Sequence, residues 1–435
     1  ADVFLHIAMK VAKNCRYVEP QFTLRFDKET SEEIWDEALD ALGAGATYPT
    51  LYNDDVNVPA VMYGMRVDEK TAEQYVPFGC TEFVIQGQST GTPNICINLL
   101  KLLTIYMNDG IDPIDGKRKS GPVSLKKLEE YQTFEEFYDG YKALLDYYLD
   151  LSVKAQYHSY EVMNQHVSFL FTSLLTDDCI ARGKALLDGG VRYLGGTNET
   201  YGNINTSDSL WVIRDLVFNQ KKYTLRQLND AMLANFNGYE ALRKDCLNCD
   251  KYGNDLETAD TMANDLYEFV AKGVRDRGIA IGMQYFLIVI SNNQLNTEWG
   301  NRTAASPDGR LSCMYMNPAN NPQGGANKSG PTAMLNSLAK FDAKYHGGSV
   351  QNIKFSPSMF NENRAVIKSL FKTYFAKGGC HLMVTVVDKG VLEDAVEHPE
   401  NYPDLIVRVS GFSAVFVDLS PNIQQELLSR VLYDK

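Results

Sequence analysis

Helical patterns alternate with short apolar segments along the whole of this 435-residue chain. Ser31–Gly45 starts with a residue that can cap a helix, repeats apolar residues at helical spacing and ends in a glycine-rich stretch. Thr133–Leu175 keeps helical spacing for many turns, whereas His381–Asp388 and the residues around Val407 are typical of buried strands. This alternation predicts an α/β fold rather than an all-helical one.

Four other segments have a less regular pattern, and their composition decides what we expect of them. Ile95–Met107 is almost continuously apolar and predicts one buried helix. Gly189–Leu210 and Asn301–Leu335 are rich in glycine, asparagine and other turn-forming residues, so we expect two long loops of the kind that often carry function. Gly278–Asn293 is compatible with a buried strand or a buried helix, because periodicity alone does not separate the two.

Charge and cysteine usage restrict the partners and the compartment. The formal net charge is −13, which disfavours the basic surface that a nucleic-acid partner requires. No apolar run reaches the length of a membrane span, and the first residues lack the basic and apolar regions of a secretory signal. The 8 cysteines are spread widely, which is typical of reduced thiols. We therefore expect a cytoplasmic protein without nucleic-acid or membrane partners.

Cysteine and histidine spacing gives little support for a metal site. Cys246 and Cys249 have C-x-x-C spacing, but no second pair accompanies them, and a closed zinc site needs four ligands. His158 and His166 lie on one predicted helix at positions roughly 80° apart, so they are poor co-ligands. We expect no bound metal.

A cysteine and a glutamate lie two residues apart in the Gly/Ser/Thr-rich loop Pro77–Asn94. In an extended loop the side chains of Cys80 and Glu82 point the same way, which suits a nucleophilic or radical thiol beside an acid/base group. The ordinary alternative is a buried free cysteine next to a solvated glutamate.

A glycine interrupts the apolar segment "RVSGFSAVFVDLS", which spans Arg408–Ser420. The ordinary interpretation of Gly411 is a bulge or a tight bend. A chemical interpretation is that loss of a Cα hydrogen from glycine leaves a radical delocalised between the flanking amide nitrogen and carbonyl. A side chain would crowd the planar arrangement that this delocalisation requires. Val409, Phe412 and Phe416 would then exclude water from the radical.

These two segments together resemble a known family. "RVSGFSAVFVDLS" resembles the glycyl-radical loop of the pyruvate formate-lyase-like enzymes, and "FGCTE" resembles their thiyl-cysteine loop. The Gly189–Leu210 segment, Lys251–Asp255 and the segment before the radical loop are also similar to family segments and occur in the same order. The resemblance extends from about Arg16 to the end of the sequence, and several ordered motifs are more specific than any one alone.

The resemblance implies a fold and a mechanism. The fold would be half of a ten-stranded barrel surrounded by helices, with the Cys80 loop and the Gly411 loop meeting inside. A radical-SAM activating enzyme with an iron–sulfur cluster would generate the radical on Gly411, which would in turn generate a thiyl radical on Cys80. The cofactor of this chain would be that glycyl radical, without any bound metal or organic cofactor.

The residues around the cysteine narrow the subclass that the resemblance implies. Pyruvate formate-lyase itself has two adjacent cysteines, whereas Gly79 and Thr81 flank Cys80, so acetyl transfer to coenzyme A is disfavoured. Glu82 resembles the glutamate of the dehydratases, C–N and C–S lyases and arylacetate decarboxylases, where it acts as a base in the eliminating members. Glu199 lies in a segment similar to the middle active-site loop. It is a candidate second acid/base group or substrate contact, with an exposed loop acid as the alternative.

Family members are considerably longer than this chain, and the part without a counterpart is their N-terminal half. We therefore expect a second polypeptide or a missing N-terminal half to complete the barrel, since a lone half would expose strand edges and apolar faces. An oligomer and a small-molecule substrate follow from the same resemblance. Residues 1–300 would form the barrel portion and residues 301–435 the glycine radical domain.

The predicted activity is elimination at a C–O, C–N or C–S bond, and three alternatives accompany it. The first is decarboxylation of an arylacetate. The second is a non-catalytic radical-domain subunit that completes another chain, which the presence of Cys80 and Glu82 disfavours. The third is an anaerobic ribonucleotide reductase, which the lack of cysteine pairs near Gly411 disfavours.

Overall fold

A computed structural model describes residues 2–91, 93–291 and 294–434 of the chain. Helices and short strands alternate along it, which confirms the predicted α/β class. The helices are α1 Asp2–Cys15, α2 Glu32–Gly43, α3 Asp54–Met65, α4 Glu69–Ala72, α5 Leu99–Met107, α6 Phe134–His166, α7 Leu170–Leu174, α8 Cys179–Arg182, α9 Asn203–Val212, α10 Leu225–Leu233, α11 Glu240–Asn248, α12 Glu257–Ala280, α13 Leu295–Gly300, α14 Gly330–Leu338, α15 Pro357–Glu362, α16 Arg364–Ala376, α17 Lys389–Glu397 and α18 Pro421–Ser429.

The strands form two larger sheets and two hairpins. Their bounds are β1 Thr23–Phe26, β2 Thr50–Asn53, β3 Tyr75–Phe78, β4 Glu82–Ile85, β5 Pro93–Asn98, β6 Gly195–Tyr201, β7 Tyr285–Ile290, β8 His346–Ser349, β9 Asn352–Phe355, β10 His381–Val386, β11 Ile406–Arg408, β12 Ser413–Val415 and β13 Leu432–Tyr433. One sheet has the order β1-β2-β10-β9-β13 and the other the order β5-β6-β7-β8, while β3–β4 and β11–β12 are antiparallel hairpins.

The two larger sheets are joined through one stretch of chain. Strands β8 and β9 are separated only by Val350 and Gln351, and both of these residues continue the pairing. The Val350 N–H donates to the Ile290 carbonyl over 2.9 Å, and the Gln351 carbonyl accepts from the Met383 N–H over 2.8 Å. The strands therefore follow one another as β1-β2-β10-β9/β8-β7-β6-β5, with an antiparallel junction between β2 and β10 and parallel neighbours elsewhere in that row.

Local sequence signals explain where several helices begin and end. The Ser31 hydroxyl accepts the Ile34 N–H at the start of α2, and the Thr133 hydroxyl accepts the Glu136 N–H at the start of α6. The predicted helix Thr133–Leu175 ends early, because Ser168 (φ 59°) and Phe169 (φ 44°) take the left-handed conformation between α6 and α7.

The prediction of one helix over Ile95–Met107 is wrong in its first residues, which belong to strand β5. The Asn98 side chain accepts the Lys101 N–H over 2.9 Å and starts α5 after the strand. The β-branched residues before Asn98 pair with β6 instead of continuing a helix.

The prediction of a loop over Gly189–Leu210 is also wrong, because the segment contains all of β6 and most of α9. Its glycines and polar residues resemble loop composition, yet every residue of β6 is buried between the parallel neighbours β5 and β7. Gly195 permits this packing, since a Cβ there would overlap the Tyr285 ring.

The structure also assigns elements to the two remaining segments. Gly278–Asn293 contains the end of α12 and strand β7, while its residues 292 and 293 lie outside the described residues. Asn301–Leu335 is without helix or strand as far as Ser329, but its last residues begin α14.

The last part of the chain has a small core of its own. Apolar residues of the β11–β12 hairpin, α17 and α18 pack together, among them Val387, Leu392, Val409, Phe416 and Leu427. This hairpin unit lies against strand β10. Among the described residues, no helix combines the length and the apolar character that crossing a membrane requires.

Candidate active site

Gly411 lies at the tip of the β11–β12 hairpin, where Arg408 pairs with Ser413. The glycine is buried and does not adopt the left-handed conformation that would favour glycine in a turn. A tight bend therefore does not explain why the residue is glycine.

The reason is the close approach of the Cys80 hairpin. A Cβ built on Gly411 would lie 2.5 Å from Cys80 Cα and 2.8 Å from Cys80 Cβ, and it would overlap the Sγ atom. Two predicted residues that are 331 positions apart in the numbering are thus in direct contact, and only glycine permits that contact.

Cys80 lies in the tight turn between β3 and β4, where Phe78 pairs with Glu82. The turn requires positive φ at Gly79 (53°) and at Thr81 (85°), and the second value is unfavourable for a β-branched residue. The expectation that Cys80 and Glu82 share one side of an extended loop is therefore wrong in its geometry. The turn nevertheless brings the two groups within electrostatic range, because the Glu82 carboxylate raises the pKa of the Cys80 thiol.

The surroundings of Cys80 keep its sulfur protonated. Burial raises the pKa of the Cys80 thiol, and the nearby carboxylates of Glu82 and Glu199 raise it further. The positive charge of Arg408 and the backbone amide of Gly411 lower the pKa of the thiol and only partly oppose this rise. A protonated thiol retains the S–H bond that hydrogen-atom transfer needs.

Glu82 is 3% exposed, and its Oε2 atom is buried without a hydrogen-bond partner. Burial raises the pKa of Glu82 to about 8, and the charge of Glu199 adds to that increase. A carboxyl group in this state is a stronger base than an exposed glutamate and titrates near neutral pH.

Glu199 lies within β6 and is 3% exposed, so the alternative of an exposed loop acid is wrong. Its Oε2 atom accepts a hydrogen bond from the Tyr201 hydroxyl over 2.5 Å and one from the Cys96 thiol over 3.5 Å. The charge of Glu199 raises the pKa of Cys80 and of Glu82, which places its carboxylate within electrostatic range of both.

Arg408 is a site residue to which the sequence pattern assigned no role, although it opens the glycine-loop motif. The side chain is 1% exposed and lies 5.2 Å from the Tyr48 ring centroid. Its guanidinium donates to the Ser413 hydroxyl and to the Met383 sulfur over 3.3 Å in each case. Within the described residues no carboxylate pairs with it, so its charge acts on Cys80 and the neighbouring tyrosines.

Gln21 is a second residue that sequence reasoning missed, and no motif distinguishes it. Its side-chain amide donates a hydrogen bond to the Gly411 carbonyl over 3.0 Å. The two residues are 390 positions apart, so only the folded chain reveals the contact.

The C-x-x-C pair lies at the end of α11, which is not one of the elements that carry Cys80 and Gly411. Cys246 belongs to α11 and Cys249 follows its end, and burial raises the pKa values of both thiols, to about 12 and about 11. In the part of the chain that the structure describes, no group of three His, Cys, Asp or Glu side chains is arranged to hold a metal. All 8 cysteines are free thiols.

Two family models match the chain. The model described as pyruvate formate lyase-like matches residues 2–295, and the model described as glycine radical matches residues 316–417. The chain therefore belongs to the pyruvate formate lyase-like family, as its motifs predicted. Its match to the glycine radical model indicates a protein-based glycyl radical as the cofactor.

Several relatives align with nearly the whole chain. Trans-4-hydroxy-L-proline dehydratase of Clostridioides difficile is 30% identical over 428 residues, which cover 98% of this chain and 54% of the relative. The 4-hydroxyphenylacetate decarboxylase glycyl radical subunit of C. difficile strain CD196 is 26% identical, covering 100% of this chain and 53% of the relative. The chain thus spans about half the length of the curated relatives it matches.

A solved structure agrees with these alignments. The glycerol-bound form of the B12-independent glycerol dehydratase from Clostridium butyricum matches with a TM-score of 0.93 at 29% identity. The match covers 99% of this chain and 55% of that one.

Proposed function

We propose that this chain carries the radical relay of a glycyl radical lyase or dehydratase. In this relay Gly411 stores the unpaired electron, and its Cα takes the hydrogen atom of the Cys80 S–H bond at the start of a turnover. The resulting thiyl radical takes a hydrogen atom from a substrate carbon. The product radical later regains a hydrogen atom from Cys80. The observation that carries the proposal is the direct contact between Gly411 and Cys80.

Glu82 is the proposed base of the elimination. After a carbon bearing a hydroxyl group has lost its hydrogen to Cys80, Glu82 accepts the hydroxyl proton and leaves a ketyl radical. The ketyl expels a neighbouring oxygen, nitrogen or sulfur group with its bonding electron pair. The carbonyl radical that remains takes its hydrogen atom from Cys80. The pKa of about 8 supports this role, because a base works best when it titrates near the working pH.

Glu199 is the proposed substrate contact. Its Oε2 atom is held by Tyr201, so the carboxylate has a fixed direction in the site. Glu82 and Glu199 lie within electrostatic range of Cys80, with Arg408 as the cation. Two carboxyl groups can hold the hydroxyl groups of a polyol or an amino alcohol by hydrogen bonds, which favours elimination from such a substrate over decarboxylation of an arylacetate.

We also propose that an additional stretch of polypeptide completes the site. The outer strands β1 and β5 each have one edge without a neighbour in the described sheets. Apolar side chains are exposed on α1, where Phe4 is 80% exposed, and on α7, where Phe171 is 75% exposed. Paired edges and covered apolar faces are the rule in stable proteins, so we assign these surfaces to the half of a ten-stranded barrel that this chain lacks, supplied by a second polypeptide or an N-terminal half.

Further assignments belong to the same proposal. A radical-SAM activating enzyme abstracts hydrogen from Gly411. The free thiols fit a reducing, cytoplasmic compartment. The division into a barrel portion, 1–300, and a glycine radical domain, 301–435, stays a prediction, as does an oligomeric state.

The experiment that tests the proposed activity is an anaerobic substrate screen of the activated, completed protein. Polyols, amino alcohols, hydroxysulfonates and arylacetates are each incubated with wild type and with the Cys80→Ala variant, and products are identified by mass spectrometry. We expect loss of water or amine from a neutral or cationic substrate by the wild type alone. Release of carbon dioxide from an arylacetate would instead establish the decarboxylase, and turnover by Cys80→Ala would refute the relay.

A further inference from the structure

The carbonyl group of Gly411 has a hydrogen-bond donor that comes from the other end of the chain. Gln21 Nε2 lies 3.0 Å from the Gly411 oxygen. On the opposite side, Gly411 is in direct contact with Cys80, since a Cβ on Gly411 would overlap the Cys80 side chain. Gly411 therefore has Gln21 on its carbonyl group and Cys80 against its Cα.

The segment that carries Gln21 is fixed on both sides. The Tyr48 hydroxyl donates to the Val18 carbonyl over 2.8 Å, and the Thr50 N–H donates to the Phe22 carbonyl over 3.1 Å. These two hydrogen bonds tie the backbone before and after Gln21 to Tyr48 and to Thr50, the first residue of β2. The Gln21 amide is thus presented to the glycine loop by an anchored segment rather than by a free terminus.

The other carbonyls of the loop are held from within the last part of the chain. Arg430 Nη2 donates to the Val409 carbonyl over 2.7 Å, and the Phe412 carbonyl accepts the Val409 N–H over 3.1 Å. Gln21 differs from these donors, because it links Gly411 itself to a segment near the start of the described chain. It also covers the carbonyl of a buried glycine from an exposed position.

A glycine Cα radical is stabilised jointly by an electron-releasing nitrogen and an electron-withdrawing carbonyl. A hydrogen bond to the carbonyl oxygen increases its electron-withdrawing character, because it stabilises negative charge that accumulates on that oxygen. A donor at this oxygen consequently lowers the energy of the radical relative to the C–H form. It also shifts the hydrogen-atom exchange with Cys80 toward radical on glycine.

We infer that Gln21 is a positioning residue of the radical relay, which orients the Gly411 carbonyl and stabilises the radical on its Cα by hydrogen bonding. This inference rests on the proposed function, since it presupposes a radical at Gly411. Its geometric part is independent of that radical and can be measured in the unactivated protein.

The first measurement is a carbonyl chemical shift. The sequence contains one Gly–Phe pair, Gly411–Phe412, so labelling this chain with carbonyl-13C glycine and 15N phenylalanine gives a single HNCO signal. Gln21→Met, which keeps the side-chain length but has no donor, is expected to move the carbonyl carbon signal upfield. Gln74→Met is the matched control, because Gln74 also donates to a backbone carbonyl, that of Lys70, in a different hairpin region.

The second measurement is the electron paramagnetic resonance (EPR) signal of the completed, activated protein under anaerobic conditions. Gln21→Met is expected to change the hyperfine splitting and to shorten the lifetime of the radical about fivefold, the factor that corresponds to one neutral hydrogen bond. Gln21→Lys, which restores a donor, is expected to recover both properties toward those of the wild type.

The outcomes separate this inference from the proposed function. An unchanged carbon signal in Gln21→Met overturns the hydrogen bond and with it the inference. A shifted carbon signal with wild-type splitting and lifetime overturns the stabilising role. If the wild type gives no radical although the carbon signal shifts, the proposed function fails and takes the radical part of this inference with it.

Discussion

The two hairpin tips that meet at the site are held in different ways. The Cys80 turn is fixed by its own backbone, with positive φ at Gly79 and Thr81, and by β8, since a Cβ on Gly348 would lie 2.6 Å from the Thr81 carbonyl carbon. The Gly411 tip has no such strain at its glycine. It is held by side chains from elsewhere, namely Gln21 on the Gly411 carbonyl and Arg430 on the Val409 carbonyl.

This difference matches two different tasks. A thiol that must meet a substrate in one geometry is best placed on a rigid, sheet-supported turn. In the proposed function an activating enzyme must reach Gly411, which lies on a loop that a few hydrogen bonds retain, in a unit with its own small core. We therefore expect the glycine tip to open more readily than the cysteine tip, and the following changes test that distinction.

Gly411→Ala is expected to have the largest effect, with complete loss of the radical and of activity. The added Cβ overlaps Cys80, so it must also push the two tips apart, at a cost of about 1–3 kcal/mol. Anaerobic EPR and thermal unfolding measure the two parts. Gly390→Ala is the matched control within the same unit, because its Cβ meets only the Asp388 carboxylate, at 3.1 Å. A Gly411→Ala variant with wild-type turnover would remove Gly411 from the relay.

Glu82→Gln is expected to retain the radical but to lower kcat about 10²- to 10⁴-fold, because the amide cannot accept the substrate proton. The wild-type rate should rise with pH and level off above about 8, as the carboxyl group with its raised pKa becomes ionised. Steady-state rates of both proteins are compared from about pH 6 to about pH 9, on both sides of the Glu82 pKa of about 8. A pH-independent wild-type rate would exclude Glu82 as the base.

Arg430→Met is expected to loosen the glycine tip without disturbing the cysteine tip. It removes the donor to Val409 and leaves the Glu426 carboxylate, which is 2% exposed, without its bidentate partner. Hydrogen–deuterium exchange should become about tenfold faster over residues 406–415 and stay unchanged over residues 75–85. The double variant Glu426→Gln with Arg430→Met restores neutrality, yet the loop should still exchange faster. Equal exchange in both tips would contradict the distinction.

The smallest expected effect is a pH dependence of stability due to Glu82. Its folded-state pKa of about 8 lies above the value of 4.5 for an exposed glutamate, so the folded protein holds an extra proton between these pH values. The contribution of Glu82 to the free energy of unfolding is therefore lost as pH rises toward 8. Glu82→Gln should raise the melting temperature more at about pH 7.5 than at about pH 5.5. If Glu82→Gln changed the melting temperature equally at both pH values, the pKa of Glu82 in the folded protein would not be raised.

The residues that the sequence selected as candidates for chemistry lie together in the fold, whereas several of the elements that carry them were predicted wrongly. Each of the motifs around Cys80, Glu82 and Gly411 has an ordinary interpretation when taken alone, so it was their ordered resemblance to one family that selected these residues. The contact between Cys80 and Gly411 follows from the same motifs only through the family resemblance, since nothing local in either segment specifies the other.

Two of the wrong predictions share a physical cause. Gly195–Tyr201 has the composition of a loop, yet its strand is specified by pairing with β5 and β7 on both sides. The prediction of a helix from Ile95 is wrong for the same reason, because Ile95 pairs with Asn198 of the distant strand β6. Gln21 has no signal at all in the sequence, since its role depends on one long-range hydrogen bond. Local patterns do not contain tertiary pairing, and β structure depends on it most.

In the proposed function, one chain contains both the store and the relay of the unpaired electron. Anaerobic EPR of the completed, activated protein tests this directly, with wild type compared with Gly411→Ala and Cys80→Ala. We predict a doublet from the remaining α-hydrogen of Gly411 that collapses to a singlet when the protein contains α-deuterated glycine. The doublet should persist in Cys80→Ala, which is inactive, and be absent from Gly411→Ala. A doublet in Gly411→Ala would exclude Gly411 as the store of the unpaired electron. Turnover by Cys80→Ala would exclude Cys80 as the relay.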